Sequence, residues 1–456
     1  MTDVLEREQY AASAVSWLTV VLCERFGAGF VIESAPGVLS IRRVDAEGSI
    51  EVRSDAGVFT RAGADIPCAF WDAEREGWTP AIAASLPAPG VRELAQPLIE
   101  QVDSLRYRIR YDVLGLVYWA LARVEELGRE DRDAFGRFPS SASHAAAHGY
   151  LERPVVDEWL HILGQVLRLQ WPGFAFIEHH SSMKVSHDVD QPSRYAFGSA
   201  AAFLRKVAGD VLRRRDYSGA ALALPTRMAS RSAISPRDPN NTFDWLMDLS
   251  DRHGLVSAFY FICGRTDAGR DSDYEIEHPA MRALLRKIHA RGHEIGLHPS
   301  FGTFQQPELV SAEAARLRKV CEEEGIAQDV WGGRMHYLRW DHPRTLYGWE
   351  AAGFNYDSTL SYADAAGFRC GTCFEFPAYD ASAHRSLNVR IRPLVAMEAT
   401  IIEPYYMALG LGEPAVRKLR QLREACEAVR GCFTLLWHNS TLDSESAKRT
   451  YEAVLR

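Results

Sequence analysis

The sequence contains no hydrophobic run long enough to cross a bilayer. Its apolar stretch at residues 14–23 is interrupted by Ser16 and Thr19 and stops at Glu24 and Arg25, which reads as a buried helix. The basic opening of a secretory signal is also missing. Acids stand there instead, in Met1-Thr2-Asp3-Val4-Leu5-Glu6, and a cytoplasmic protein is expected. The eight cysteines are scattered, and no second pair matches Cys370-Gly371-Thr372-Cys373. Reduced thiols are expected rather than a structural zinc site, which normally needs two such pairs. Positive charge is not in excess either. A formal net charge of -8 argues against nucleic acid as the main partner and leaves Arg213-Arg214-Arg215 as a local basic run, a pattern usual for a solvated helix face. Internal repeats and low-complexity tracts are absent.

What remains is an ordinary globular composition, 47% hydrophobic and 25% charged, in 456 residues, more than one core usually serves. Two domains are expected, with a cut near residue 180. In 1–180, a helical opening at 10–26 gives way to short strands around Phe30-Val31-Ile32 and Leu39-Ser40-Ile41, broken by Pro36-Gly37 and Glu47-Gly48. Apolar residues recur at helical spacing over 111–127, and Pro154 suits the first turn of another helix. This part is expected to be an α+β accessory domain without a catalytic cluster. In 181–456, strands at 255–263, 293–298, 330–337 and 433–438 alternate with helices at 281–290, 314–324, 346–352 and 414–429. Such alternation predicts an α/β domain with a mostly parallel sheet or barrel, whose polar residues gather where strands end.

Asp188-Val189-Asp190 closes the first strand of this second part. Two carboxylates two residues apart in an extended segment face one side. Their repulsion favours a bound cation, with one acid holding the metal and the other taking a proton from water, although an acidic strand end capping a loop has the same pattern. In Gly292-His293-Glu294-Ile295-Gly296-Leu297-His298-Pro299, His298 is better placed than His293 to be a metal ligand. Arg334-Met335-His336-Tyr337 offers a guanidinium to orient a carboxylate and a backbone to meet an oxyanion. Leu435-Leu436-Trp437-His438 ends the last strand with a histidine suited to general acid work.

The order of these motifs resembles the polysaccharide deacetylase family (carbohydrate esterase family 4, NodB-homology domain) over roughly residues 183–440. The resemblance implies a distorted (β/α) barrel that uses a divalent metal, usually zinc, to remove acetyl groups from N-acetylated sugars. Carried over by motif, Asp188 is the catalytic base and Asp190 and His298 hold the metal. Arg334 orients Asp188, Tyr337 lies at the oxyanion site, Asp357 is a supporting acid, and His438 protonates the departing amine. The usual family motif has adjacent aspartates, and a variant with one residue between them also occurs. The family's second motif carries another histidine four residues after the first, where this chain has Gly302. His187, His293 and His336 are the candidate replacements. The stretch 111–159, with Arg137-Phe138-Pro139-Ser140-Ser141 and Arg153-Pro154-Val155-Val156-Asp157-Glu158-Trp159, also resembles a domain found ahead of this deacetylase variant in bacterial proteins. The expected substrate is an amino-sugar-containing saccharide or activated sugar, a cytosolic precursor of surface polysaccharide. The competing expectations are a sugar-binding or assembly module without turnover, and a deformylase or esterase on the same scaffold.

Overall fold

The computed structural model describes residues 9–456; the acidic opening read above, residues 1–8, lies outside them. The chain forms two compact units, and a cut near 180 marks only the first crossing between them. One unit runs to Ser182 and takes in Leu360–Val395 and Gln421–Phe433; the other holds Met183–Thr359, Ala396–Arg420 and Thr434–Arg456.

In the first unit an antiparallel meander of Phe30–Ala35, Val38–Arg43 and Ala46–Arg53 is extended by strands Arg106–Ile109 and Ile99–Asp103. Helices Ala12–Phe26 and Val155–Gln170 flank the wholly buried helix Val113–Leu121 in the sequence order of this unit. The apolar spacing over 111–127 predicts one helix, but the observed one ends at Leu121. Arg123 there takes a left-handed conformation (φ 50°) and directs its buried guanidinium at Glu125 and Glu126. Glu126 also accepts from Arg369 at 2.9 and 2.6 Å. Asp157 accepts from the Cys373 amide at 2.9 Å and the Thr372 hydroxyl at 2.8 Å. Buried carboxylates need such partners, and these are supplied from a segment far along the chain. Cys370 and Cys373 are buried on a turn at Gly371 (φ 65°).

The second unit is built on strands β1 (Ser182–Val189), β2 (Ala258–Phe261), β3 (Glu294–Leu297), β4 (Gly332–Gly333), β5 (Tyr356–Asp357), β6 (Ala396–Met397) and β7 (Cys432–Leu436). They lie in the order β5-β4-β3-β2-β1-β7-β6, and β1 to β5 are parallel neighbours. Helices Pro279–Ala290, Pro307–Glu323 and Arg344–Ala351 are the crossovers from β2 to β5, the arrangement that strand–helix alternation predicts. The region 330–337 is strand only at Gly332–Gly333. A Cβ at Gly333 would lie 2.0 Å from the Leu297 carbonyl oxygen, so β4 approaches β3 at a distance that only glycine tolerates.

Register positions the site. Val189, Phe261, Leu297, Gly333 and Asp357 form one row across the five parallel strands. Asp190, His298 and Arg334 therefore step off the carboxyl edge together, with side chains on the same face as Asp188.

Candidate metal centre

Arg334 is 1% exposed, and every bond it makes fixes it in one pose. Its Nη1 donates to Asp188 Oδ1 at 2.7 Å, its Nη2 to the Ser186 and Ser358 hydroxyls at 2.9 and 3.1 Å, and its Nε to the Ser358 carbonyl at 2.9 Å. A charge-assisted pair this well surrounded holds the carboxylate rigidly. It also leaves Asp188 Oδ2 turned toward His298 Nε2, 3.6 Å away.

His298 follows β3, and its Nδ1 lies 2.5 Å from the Arg334 carbonyl oxygen. A carbonyl only accepts, so Nδ1 carries the proton and Nε2 presents a lone pair. That lone pair lies 3.3 Å from Asp190 Oδ1. Both atoms are buried and neither has a hydrogen-bond partner. Two facing acceptors without a donor are costly in a protein interior, and a cation between them satisfies both.

The third member is His336, whose Nε2 lies 3.7 Å from Asp190 Oδ2 and whose Nδ1 lies 3.1 Å from Asp271 Oδ1. One ligand atom from each of Asp190, His298 and His336 lies within 4.8 Å of the others, so the donor set is one carboxylate and two imidazoles. That set fits a divalent transition metal, zinc among them.

The other candidates lie elsewhere. His187 Nδ1 bonds the Trp437 carbonyl at 2.8 Å with its ring against Phe259, and burial pushes it down to about 4. His293 Nδ1 accepts from the Ser257 amide at 3.2 Å. At Gly302 a Cβ would lie 3.0 Å from Thr266, whose hydroxyl accepts from the Gly302 amide at 2.7 Å. The backbone there is tied to Thr266, and the imidazole absent from 302 is matched by one arriving from the turn after β4.

His438 follows β7 on the other side of Asp190, its Nε2 3.6 Å from Asp190 Oδ2. Its Nδ1 lies 2.6 Å from Glu398 Oε1, which also accepts from the His438 amide at 3.0 Å. Burial lowers the pKa of His438, but the Glu398 carboxylate outweighs it and raises the ring to about 10. Tyr337 has a left-handed backbone (φ 63°), and its ring is 4.7 Å from that of His336 and 5.2 Å from that of Phe301. Asp357 is in register with Val189 rather than Asp190, on the opposite face. It accepts from the Thr359 amide at 2.8 Å and from the Thr359 hydroxyl, and burial pushes it up to about 6.

No motif in the sequence marks Asp271 or Glu398. Asp271 sits in a loop without periodicity. Glu398 follows β6, which at two residues is too short to show a strand pattern.

Fold and site together define an α/β protein with a candidate metal-ligand cluster at the carboxyl ends of parallel strands. A family of unknown function (DUF7033) matches residues 51–172. No curated protein matches the chain. Among solved structures, a protein described as a polysaccharide deacetylase from Mycobacterium smegmatis is similar at 13% identity and a TM-score of 0.39, over 62% of this chain and 85% of that one. One so described from Pseudomonas aeruginosa PAO1 is similar at 14% identity and 0.35, over the same shares. Puue allantoinase is similar at 10% and 0.36, again over 62% and 85%.

Proposed function

We propose that this protein is a metal-dependent amidohydrolase of the distorted (β/α) barrel type. Its proposed substrate is an N-acetylated amino sugar, a precursor of surface polysaccharide, from which it removes the acetyl group. The observation that carries the proposal is the pair of orphaned acceptors, His298 Nε2 and Asp190 Oδ1, beside the fixed Asp188 carboxylate. A divalent cation held by Asp190, His298 and His336 supplies Lewis acidity toward the amide oxygen and toward water.

The chain's own groups do the rest. Arg334 engages Asp188 Oδ1, so Oδ2 is the atom that takes a proton from the attacking water. The oxygen adds to the amide carbon, and the turn at Tyr337, beside His336, is assigned to the developing oxyanion. His438 stays protonated well above neutral pH, with Nδ1–H given to Glu398 and Nε2–H directed toward the Asp190 side. It gives that proton to the amine nitrogen as the C–N bond breaks, leaving acetate and the free amine. Asp357 serves as a positioning residue, holding the Thr359 turn next to Ser358, on which Arg334 rests.

The presence of His336 in the cluster favours turnover over a module that binds sugar passively. The test is metal content together with acetate release. Protein purified from zinc-replete cells is expected to carry about one zinc, to lose it in Asp190→Ala, and to release acetate from N-acetylated amino sugars. Formate release without acetate moves the reading to a deformylase. Metal-free protein without any acyl release overturns it.

A further inference from the structure

Between Asp190 and β2 the chain forms a helical hairpin whose polarity is reversed. Helix Ala200–Gly209 runs on into a π-helical turn, Asp210–Arg214, and stops at Arg215 (φ 55°); Asp216 then caps helix Tyr217–Ala229. Inward, the hairpin is anchored by polar contacts. Asp210 is buried and takes the Arg194 guanidinium and, at 2.8 Å, the Tyr195 hydroxyl, while Arg227 donates to the Tyr195 and Gly198 carbonyls at 3.2 and 2.8 Å.

Outward, it is apolar. Ala200, Leu204, Ala208 and Leu212 recur every fourth residue; Ala200, Leu204, Ala208 and Leu212 are all exposed, Leu204 and Leu212 by 64% and 77%. On the second helix Tyr217, Ala221, Leu224 and Met228 form a matching exposed stripe, with Leu224 59% exposed. Two adjacent helices that keep their leucines in water are an interaction surface rather than an accident of packing.

Charge selects the occupant. Arg205, Arg213, Arg215 and Arg231 are exposed around these stripes, with Arg214 paired to Asp443 at 2.9 Å, in a chain whose formal net charge is -8. A second copy seated on this face would set one cationic rim against another. An anionic bilayer surface instead receives leucines at the acyl boundary and guanidinium groups among its phosphates. No described helix is long and apolar enough to cross a membrane, which leaves a surface-lying mode. We infer that the hairpin Ala200–Ala229 docks this protein on anionic lipid surfaces. The inference is independent of the chemistry at Asp190.

The experiment is co-sedimentation of the full chain with phosphatidylglycerol/phosphatidylcholine vesicles, with pure phosphatidylcholine as control. Binding to the anionic vesicles only is expected, with release at about 0.5 M NaCl, where exposed charges are screened over a few ångströms. The triple variant Leu204→Ser, Leu212→Ser, Leu224→Ser is expected to lose at least tenfold in vesicle affinity. Arg205→Ser with Arg213→Ser is expected to lose the preference for anionic lipid. Because all these residues are exposed, unchanged melting temperatures separate loss of docking from loss of fold. Failure to bind anionic vesicles, or equal binding by the triple variant, overturns the inference. So does a lipid-free dimer that the same leucine substitutions dissociate, since a second copy then covers the face.

Discussion

His336 can offer Nε2 to Asp190 because its other ring nitrogen is occupied. Nδ1 lies 3.1 Å from Asp271 Oδ1, a carboxylate that also accepts from the Phe301 amide at 2.7 Å and, through Oδ2, from the Thr266 and Asp267 amides at 2.8 and 2.7 Å. A carboxylate so restrained dictates the tautomer of the ring, as outer partners of metal-bound histidines generally do. Asp271→Asn is nearly isosteric, so its expected effect is on affinity. Zinc measured against a competing chelator should bind roughly 10- to 100-fold more weakly, with the melting temperature of the metal-free protein little changed. Unaltered affinity would mean that His336 lies outside the ligand set. At this scale Asp188, Asp190, His298 and His438 stand out in the sequence as candidates because each ends or follows an apolar strand, whereas Arg334 follows two glycines and is picked out only by its place in the order of motifs. His336 is one of three candidates in the sequence, since spacing does not reveal which face of a turn an imidazole takes. Asp271 had no such signal, because its role comes from a loop folding back on the turn after β4.

Helix Pro307–Glu323 reaches the site through a single carboxyl. Glu313 is buried, with Oε1 accepting from the Ser300 hydroxyl at 2.5 Å and Oε2 from the Ser300 amide at 2.9 Å, two residues beyond His298. Burial pushes its pKa from 4.5 up to about 7; the bonds from Ser300 oppose this, the neighbouring Asp271 adds to it, and Arg316 opposes it. A carboxyl whose folded pKa is raised binds its proton more tightly in the native state. Its contribution therefore favours folding below the window and is lost as pH rises from about 4.5 through 7, by about 3 kcal/mol at most. Glu313→Gln should flatten this part of the pH profile, so that the stability difference between variant and parent grows in the variant's favour toward neutral pH. Denaturant titrations at pH 5 and 8 measure it, and parallel profiles would refute it. Helices at this scale were readable where apolar spacing faces a core, as over 281–290 and 346–352. The hairpin Ala200–Ala229 carries helical spacing too, but spacing alone does not say that its apolar stripes face outward, and β4, β5 and β6 are two residues each, shorter than any periodicity.

Length predicts two domains cut near residue 180, whereas the first compact unit takes in late segments through side chains that meet across hundreds of residues. Glu126 is held to about 2 because, against the cost of its burial, Arg369 and Arg123 both bond it, and Arg369 lies 243 positions further on. Asp157 needs the Cys373 amide in the same way, and the Val156 amide donates to the Gly371 carbonyl at 2.9 Å. Strands Phe376–Asp380 and Arg385–Ile391 add apolar cover: Trp17, in helix Ala12–Phe26, stacks within 5.2 Å of Tyr379 and donates to the Pro377 carbonyl at 2.9 Å. A fragment ending at residue 182 therefore keeps Glu126 and Asp157 but loses partners for both. Glu126 keeps Arg123 and Asp157 keeps Arg25 in such a fragment, so what goes is the hydrogen bonds from the late segment, worth about 1.5–3 kcal/mol each to a charged group, against a total stability of about 5–15 kcal/mol for a typical domain. Residues 1–182 expressed alone should accordingly fail to give a cooperative thermal transition, whereas the full chain gives one. Glu126→Ala in the full chain takes the carboxylate away from the buried Arg369 and Arg123 and should lower stability by about 3–5 kcal/mol. A sharply melting fragment would show that the late segment decorates the first unit without completing it.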